Sequence, residues 1–330
     1  MTTLINTVPV PPEPLKIDSH FRDGVQFAWD ATSLKWAQTC QQYYKYKMID
    51  CWEAPTKSPH LLFGGWYATA LEHFYKHRAL GMEYEEAVES VVMEAMISTW
   101  EYKHDTDGAP ILDEAGNHVG EGWKSFDTNK TRENLIRTII WYLEFFKGES
   151  LDTVILANGK PAVEHSFTLA VDNGIILSGH LDRLVDYSGD YYIMDQKTTG
   201  STITPRFFEG FDPDTQMSLY SFAGKAIFDI PIKGVIIDGA QIAVGFSRFE
   251  RGYSFRTEDQ LNEWYEDVLS DIERTQENTR NNHFPKNPAA CGNYGGCEFR
   301  SICSKSPGVR NIFLNGTFVK RKQWNPLERR

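Results

Sequence analysis

No stretch of this chain approaches eighteen consecutive apolar residues, so a membrane-spanning helix is excluded. The segment from Met1 to Pro14 lacks a basic region followed by an apolar core and does not read as a secretory signal. Pro9, Pro11, Pro12 and Pro14 predict instead an extended arm over residues 1–20. No glycine loop of the P-loop or dinucleotide-binding type occurs, and no Cys-x3-Cys-x2-Cys, which argues against an enzyme built on a nucleotide cofactor or a radical cluster. Excess positive charge is missing too. A net charge of −11 argues against a nonspecific nucleic-acid coat, though a local field can still be basic. The basic runs, Lys320-Arg321-Lys322 with Arg329-Arg330 and the set Lys124, Lys130, Arg132 and Arg137, read equally as solvated faces or nucleic-acid contacts.

Cysteine is scarce, five residues in 330. Without an export signal the expected compartment is a reducing cytoplasm, where structural disulfides are not expected. Cys291, Cys297 and Cys303 nevertheless crowd into one short segment with Gly292, Gly295 and Gly296 between them. Glycines let a backbone wrap closely, and thiolates are soft ligands. Zinc and an iron–sulfur cluster both fit, and either needs a fourth ligand. Cys51 reads as a small core residue.

The most informative stretch is Gly179-His180-Leu181-Asp182-Arg183, followed by Asp195-Gln196-Lys197-Thr198. Ile175 to Val185 and Tyr191 to Lys197 read as strands joined by the turn Tyr187-Ser188-Gly189-Asp190. Such a hairpin brings Asp182 and Asp195 together. Two close carboxylates repel, and a divalent cation between them relieves that. Lys197, two residues on, shares the face of Asp195. A hard cation can polarise a phosphate and activate water, and an ammonium beside it can orient that water. The pattern therefore points to phosphodiester cleavage.

Around this hairpin, Phe21–Tyr46, Phe63–Leu80, Tyr84–Tyr102 and Thr131–Phe146 read as helices, with a loop or small hairpin over His104–Gly122. Val163–Val171 precedes the two strands as a third, all antiparallel. A helix over Pro213–Phe228, a strand over Gly234–Ala243, an edge strand or loop over Phe246–Phe255 and a charged helix over Glu258–Asn278 follow. The expected fold is α/β: a mixed central β-sheet flanked by helices, with a helical N-terminal extension and a C-terminal cysteine-rich segment. The expected organisation is the arm at 1–20, one domain at 21–310 and a basic tail at 311–330.

These motifs resemble the PD-(D/E)XK nuclease superfamily, in particular its RecB/AddB-like branch, which includes CRISPR adaptation nucleases and phage exonucleases. Gly179 to Arg183 resembles the branch's Gly-x-x-Asp-Arg element, and Asp195 to Gly200 its Asp-x-Lys-Thr-Gly element. Gln216 to Tyr220 matches its Gln-x-x-x-Tyr signature. The resemblance runs from about Ser33 to Cys303. It implies a restriction-endonuclease-like core and hydrolysis of DNA, with Mg²⁺ or Mn²⁺ held by Asp182, Asp195 and the backbone carbonyl of Gln196. Lys197 would act at the reaction centre, with Gln216 and Tyr220 beside it. Phe63 to Glu72 is similar to the family's Gly-x-x-x-His-x-x-Leu-Glu motif, with Ala68 where relatives carry the histidine ligand. Glu72, one turn along, would then reach the metal directly or through water. Glu164 also fits the family pattern and ranks lower. Cluster-bearing relatives place one cysteine before the core and three after it, which implies a 4Fe-4S cluster on Cys40, Cys291, Cys297 and Cys303.

The function implied is a metal-dependent DNA nuclease, an exonuclease before an endonuclease. It would serve recombination, repair or DNA processing, in a phage or mobile element, with protein partners in a processing complex and no membrane association. The alternative is a nuclease fold that has lost activity and holds DNA ends or a partner, which Ala68 and the acidic balance would allow. A cleavage assay with Mn²⁺ separates the two.

Overall fold

The computed structural model describes residues 8–329, so the first seven residues of the expected arm and the last of the expected tail lie outside it. Seven strands form the central sheet: β1 (Ala28–Trp29), β2 (Leu151–Thr153), β3 (Val163–Ala170), β4 (Ile176–Tyr187), β5 (Asp190–Thr199), β6 (Ile232–Ile242) and β7 (Ser247–Ser254). Their order is β7-β6-β5-β4-β1, and β2 and β3 also pair with β4. The β5–β6 and β1–β4 pairs are parallel and the rest antiparallel, a mixed sheet as expected.

The β4–β5 hairpin turns on Ser188 and Gly189, both at positive φ (55° and 93°). That is the backbone a two-residue turn needs to match strand twist. The Gly189 N–H donates to Asp186 Oδ1 at 2.7 Å. Alternation then sorts the strand side chains by face. Ile193, Val235 and Ile237 enter one core with α1 (Ala31–Thr39), α5 (Thr215–Ile227) and α6 (Glu258–Arg280). Ala240 and Ile242 enter a second core with α2 (Pro59–Ala79), α3 (Tyr84–Ser98) and α4 (Arg132–Phe145). Each fully buried Ile or Val contributes about 1.5–3 kcal/mol, so the two faces together hold the sheet between helical layers. The result is the α/β architecture read from the sequence.

The boundaries that differ have local causes. Phe21–Tyr46 is not one helix. Phe21–Arg22 and Val25–Gln26 pair across Asp23 and Gly24, both at positive φ, and β1 follows. Helix begins only after Asp30, whose carboxylate caps α1 by accepting the Ser33 N–H at 2.8 Å. The segment expected as helix to Tyr102 stops at Ser98, and Trp100–Tyr102 pairs with Gly120–Gly122 as a small hairpin.

The basic runs are not simple solvated faces. Lys130 is 1% exposed. Arg137 bonds the Ala243 and Val244 carbonyls, at 2.7 and 2.8 Å. Arg321 donates to the Lys47 carbonyl at 2.9 Å, and Trp324 beside it donates to Asp30 Oδ2 at 2.8 Å. The described part of the tail is thus packed against the N-terminal region.

Candidate active site

The β4–β5 ladder ends at Met194 opposite Arg183. The next two residues in that register, Asp195 and Asp182, stand where the strands part. The Gln196 N–H donates to Asp182 Oδ2 at 3.1 Å, which holds that carboxylate against β5. Arg183 points to the other side of β4: it is 1% exposed, lies 3.5 Å from the Tyr75 ring centroid and donates to the Leu151 carbonyl at 2.9 Å. Gly179 is needed where it is, because a Cβ there would press on the Phe167 ring at 3.0 Å.

Asp195 is 1% exposed. Its Oδ1 accepts from Gln216 Nε2 at 3.2 Å, and the same amide donates to the Tyr220 hydroxyl at 2.9 Å. Gln216 and Tyr220 lie one turn apart on α5, so both reach the strand from one helix face. Asp195 Oδ2 forms an ion pair with the Lys197 ammonium. Lys197 is thus the partner of Oδ2, and Gln216 that of Oδ1. Burial pushes the Asp195 carboxyl up to about 7, against the pull of Lys197, and the Asp182 charge raises it further. Burial works against the Lys197 charge, but Asp195 and Asp182 outweigh it and hold the ammonium protonated above its ordinary range. Tyr220 is likewise held protonated, by burial and then by the two aspartates.

Glu72 lies on α2 with its carboxylate 2.5 Å from Lys76 Nζ, one turn along the same helix. Ala68 precedes it by a turn, and α2 passes the strand at Gly64, where a Cβ would stand 3.5 Å from Thr198 Oγ1. Among the described residues no three His, Cys, Asp or Glu side chains are drawn together as a metal site. Glu164 was ranked low in sequence and is conspicuous here. It is 7% exposed and sits at φ 50°, between the pairs Val163–Arg183 and His165–Leu181 and so opposite Asp182. Its charge reaches the Tyr220 hydroxyl. A non-glycine residue in that conformation costs about 1–3 kcal/mol, and such strain gathers at functional sites. No local sequence signal marks it beyond its place at the start of β3.

Cys40 follows the end of α1, whose Gln38 Oε1 accepts from the Thr215 hydroxyl, next to Gln216, at 2.9 Å. The Asn287 N–H donates to Cys40 Sγ at 3.3 Å, and the Cys297 N–H to the Cys291 carbonyl at 3.0 Å. Burial pushes the Cys297 and Cys303 thiols up, and neighbouring cysteines add to it: Cys291 and Cys40 act on Cys297, Cys297 and Cys40 on Cys303. Cys297 thus feels Cys291 and Cys40, and Cys303 feels Cys297 and Cys40, while no three of these sulfurs are drawn together as a metal site among the described residues. Cys51 faces Arg321, Lys320 and Asp50 instead. Phe299, Ile302 and Leu314 pack with Tyr46 and Trp52, which brings the cysteine segment against the N-terminal helices.

The metal-free site has a pH signature. The raised Asp195 pKa means that the folded chain keeps a proton the unfolded chain has released between roughly pH 4 and 7. That contribution to stability is present at low pH and declines as pH rises through this window. A divalent cation needs the carboxylate form. Mn²⁺ should therefore raise the melting temperature more at pH 8 than at pH 6, as differential scanning fluorimetry would show. Equal shifts at both pH values would place the cation elsewhere.

Comparison with known proteins adds the following. No curated protein matches the chain. Among solved structures, a candidate exonuclease from Eubacterium rectale is similar at 13% identity and a TM-score of 0.43, over 81% of this chain and 88% of that one. The protein SSO0001 is similar at 14% identity and a TM-score of 0.25, over 42% of this chain and 66% of that one. Both likenesses are too loose to carry an argument. The family model is decisive: it matches residues 28–304, from β1 through the hairpin to the cysteine segment. This chain belongs to the PD-(D/E)XK nuclease superfamily.

Proposed function

We propose that this protein is a divalent-metal-dependent DNA nuclease that works from free ends, formed as one domain over residues 21–310 and stapled by a 4Fe-4S cluster. The observation that carries the reading is the pair of aspartates, Asp195 buried and Asp182 half-buried, with Lys197 on the face of Asp195. The Asp195 carboxylate, buried and raised in pKa by burial and by the Asp182 charge, is the hard oxygen donor a divalent cation would stabilise in its charged form. Asp182, Asp195 and the Gln196 carbonyl would hold that cation. A strand residue sends its N–H and C=O to the same edge, so the carbonyl follows the amide that bonds Asp182. When bound, Mg²⁺ or Mn²⁺ would polarise the phosphate and lower the pKa of water.

The chain's own groups do the rest. Lys197 stays protonated, so it donates hydrogen bonds to the attacking water and to the phosphate oxygens and does not act as a base. Gln216 fixes Asp195, and Tyr220 fixes Gln216. In the reaction the water gives up a proton to bulk solvent as its oxygen forms a bond to phosphorus, the bridging P–O bond breaks, and the leaving sugar oxygen takes a proton from solvent. Glu72 would support the cation through water once it parts from Lys76. Glu72→Gln should then raise the Mn²⁺ concentration for half-maximal cleavage by about tenfold, the usual scale for an outer ligand. An unchanged Mn²⁺ requirement would remove Glu72 from the site.

The cysteine end fits an iron–sulfur cluster by its donors. Cys40, Cys291, Cys297 and Cys303 would hold it: all four are soft thiol ligands, with Cys297 within reach of Cys291 and Cys40, and Cys303 within reach of Cys297 and Cys40. A second reading, a binding protein without activity, is favoured by Ala68 and by the pairing of Glu72 with Lys76. The test is cleavage of labelled single- and double-stranded DNA with Mn²⁺, ends free or blocked. Shortening of free-ended DNA alone supports the exonuclease, and cutting of blocked DNA would make it an endonuclease. Binding without cleavage by cluster-loaded protein would favour the second reading.

A further inference from the structure

Phe126 is 83% exposed, more than any other large apolar side chain described. Single exposed apolar residues are common. What sets this one apart is the turn that carries it. The Asp127 N–H donates to Ser125 Oγ at 3.0 Å. Asp127 Oδ1 accepts the N–H groups of Asn129 and Lys130 at 2.8 and 3.0 Å, and its Oδ2 faces His60 Nε2 at 3.4 Å. Asn134 Nδ2 on α4 donates to the Thr128 and Asn129 carbonyls, at 3.3 and 2.8 Å. A turn fastened at this many points holds its aromatic ring in water and gains no burial from it.

The turn also has a telling address. The Asn129 amide lies 3.7 Å from where a Cβ on Gly200 would stand. Gly200 is three residues beyond Lys197, about 10 Å along an extended chain. Beneath the turn, the Lys130 ammonium is buried 4.5 Å from the Phe63 ring centroid and makes no hydrogen bond among the described residues. Burial lowers its pKa to about 8, with Asp127 pulling the other way. An aromatic ring held in water, on a turn that meets the chain just beyond Lys197, is a platform on which an unpaired base can stack.

We infer that the Ser125–Lys130 turn is a nucleotide-binding element on which Phe126 stacks a base of the bound strand near the scissile phosphate. This rests on the nuclease reading and narrows its substrate. A base inside a duplex is already stacked on its neighbours, so the element selects single strands or frayed ends.

Steady-state cleavage of a single-stranded thymidine oligonucleotide with Mn²⁺ tests this, read as KM and kcat alongside the melting temperature. Phe126→Ala should raise KM about tenfold, the scale of one base–aromatic stack, with kcat and melting temperature unchanged. Phe126→Trp should restore KM. Abasic sites placed singly along the oligonucleotide should show one position that costs the wild type about tenfold, and Phe126→Ala should abolish that penalty. Unchanged KM in Phe126→Ala, or an abasic penalty that survives the substitution, would overturn the inference while leaving the nuclease intact. In that case Phe126 would belong to a protein contact. A wild-type protein that neither binds nor cleaves any DNA would overturn both readings.

Discussion

Asp195→Asn should abolish cleavage, lowering the rate by about a thousandfold or more, while leaving the metal-free protein at least as stable as the wild type. The loss follows from the proposed role of the carboxylate as a cation ligand, since an amide of the same shape is a poor partner for a hard cation. The stability follows from burial. Asp195 is 1% exposed and its charged form is disfavoured in the absence of metal. The amide removes that desolvation and can still accept from Gln216 through its oxygen. Lys197 loses one partner, but it is partly exposed and still feels Asp182. A residue that served only the fold would show the opposite pattern, with stability lost and activity lost in proportion. Asp182→Asn should likewise abolish cleavage. Lys197→Ala should lower kcat about a hundredfold with little change in DNA affinity, because its contact strengthens as charge develops on the phosphate. Chemical denaturation and single-turnover cleavage on the same preparations read both quantities. Retained activity in either aspartate variant would remove the pair from the mechanism.

The second large effect belongs to the cysteines. Anaerobically purified protein should be brown and carry about four irons per chain, as four-cysteine ligation requires. Serine at Cys40, Cys291, Cys297 or Cys303 should lose that iron and lower the melting temperature sharply, because binding energy at such a site is folding energy. Cys51→Ser should keep its iron, since Cys51 faces Arg321 and Lys320 and not the other thiols. Without the cluster, the C-terminal segment would be held by contacts such as the Phe299 ring against Tyr43, Tyr46 and Phe318, Glu298 with Tyr43 and Lys47, and the pairing of Val319–Lys320 with Trp52–Glu53. Hydrogen exchange over residues 286–320 should therefore speed up in the serine variants. A colourless protein holding one zinc would refute the cluster and leave the nuclease reading standing.

What could be read in the sequence was local. The β4–β5 hairpin was legible because its turn residues and its alternating apolar strands agree, and the aspartates follow from the register. The α4 helix was legible from its apolar spacing and from Thr131, which caps it. The rest depended on contacts between distant parts of the chain. Ala28–Trp29 is a strand only because it pairs in parallel with Ile176–Leu177, and two aromatic-rich residues before a helix carry no sign of that. The burial of Lys130 depends on Phe63, on a helix far away in sequence. Glu164 became prominent through its strained backbone and its place opposite Asp182, neither of which composition or periodicity records.

The most direct test of the account is a calorimetric titration of Mn²⁺ into wild type and Asp195→Asn at pH 8, with DNA cleavage measured on the same samples. The account predicts a Mn²⁺ site in the wild type that is lost in the variant, and cleavage that appears with occupancy of that site and stops with chelator. Equal Mn²⁺ binding by the two proteins, or cleavage that persists in chelator, would contradict it.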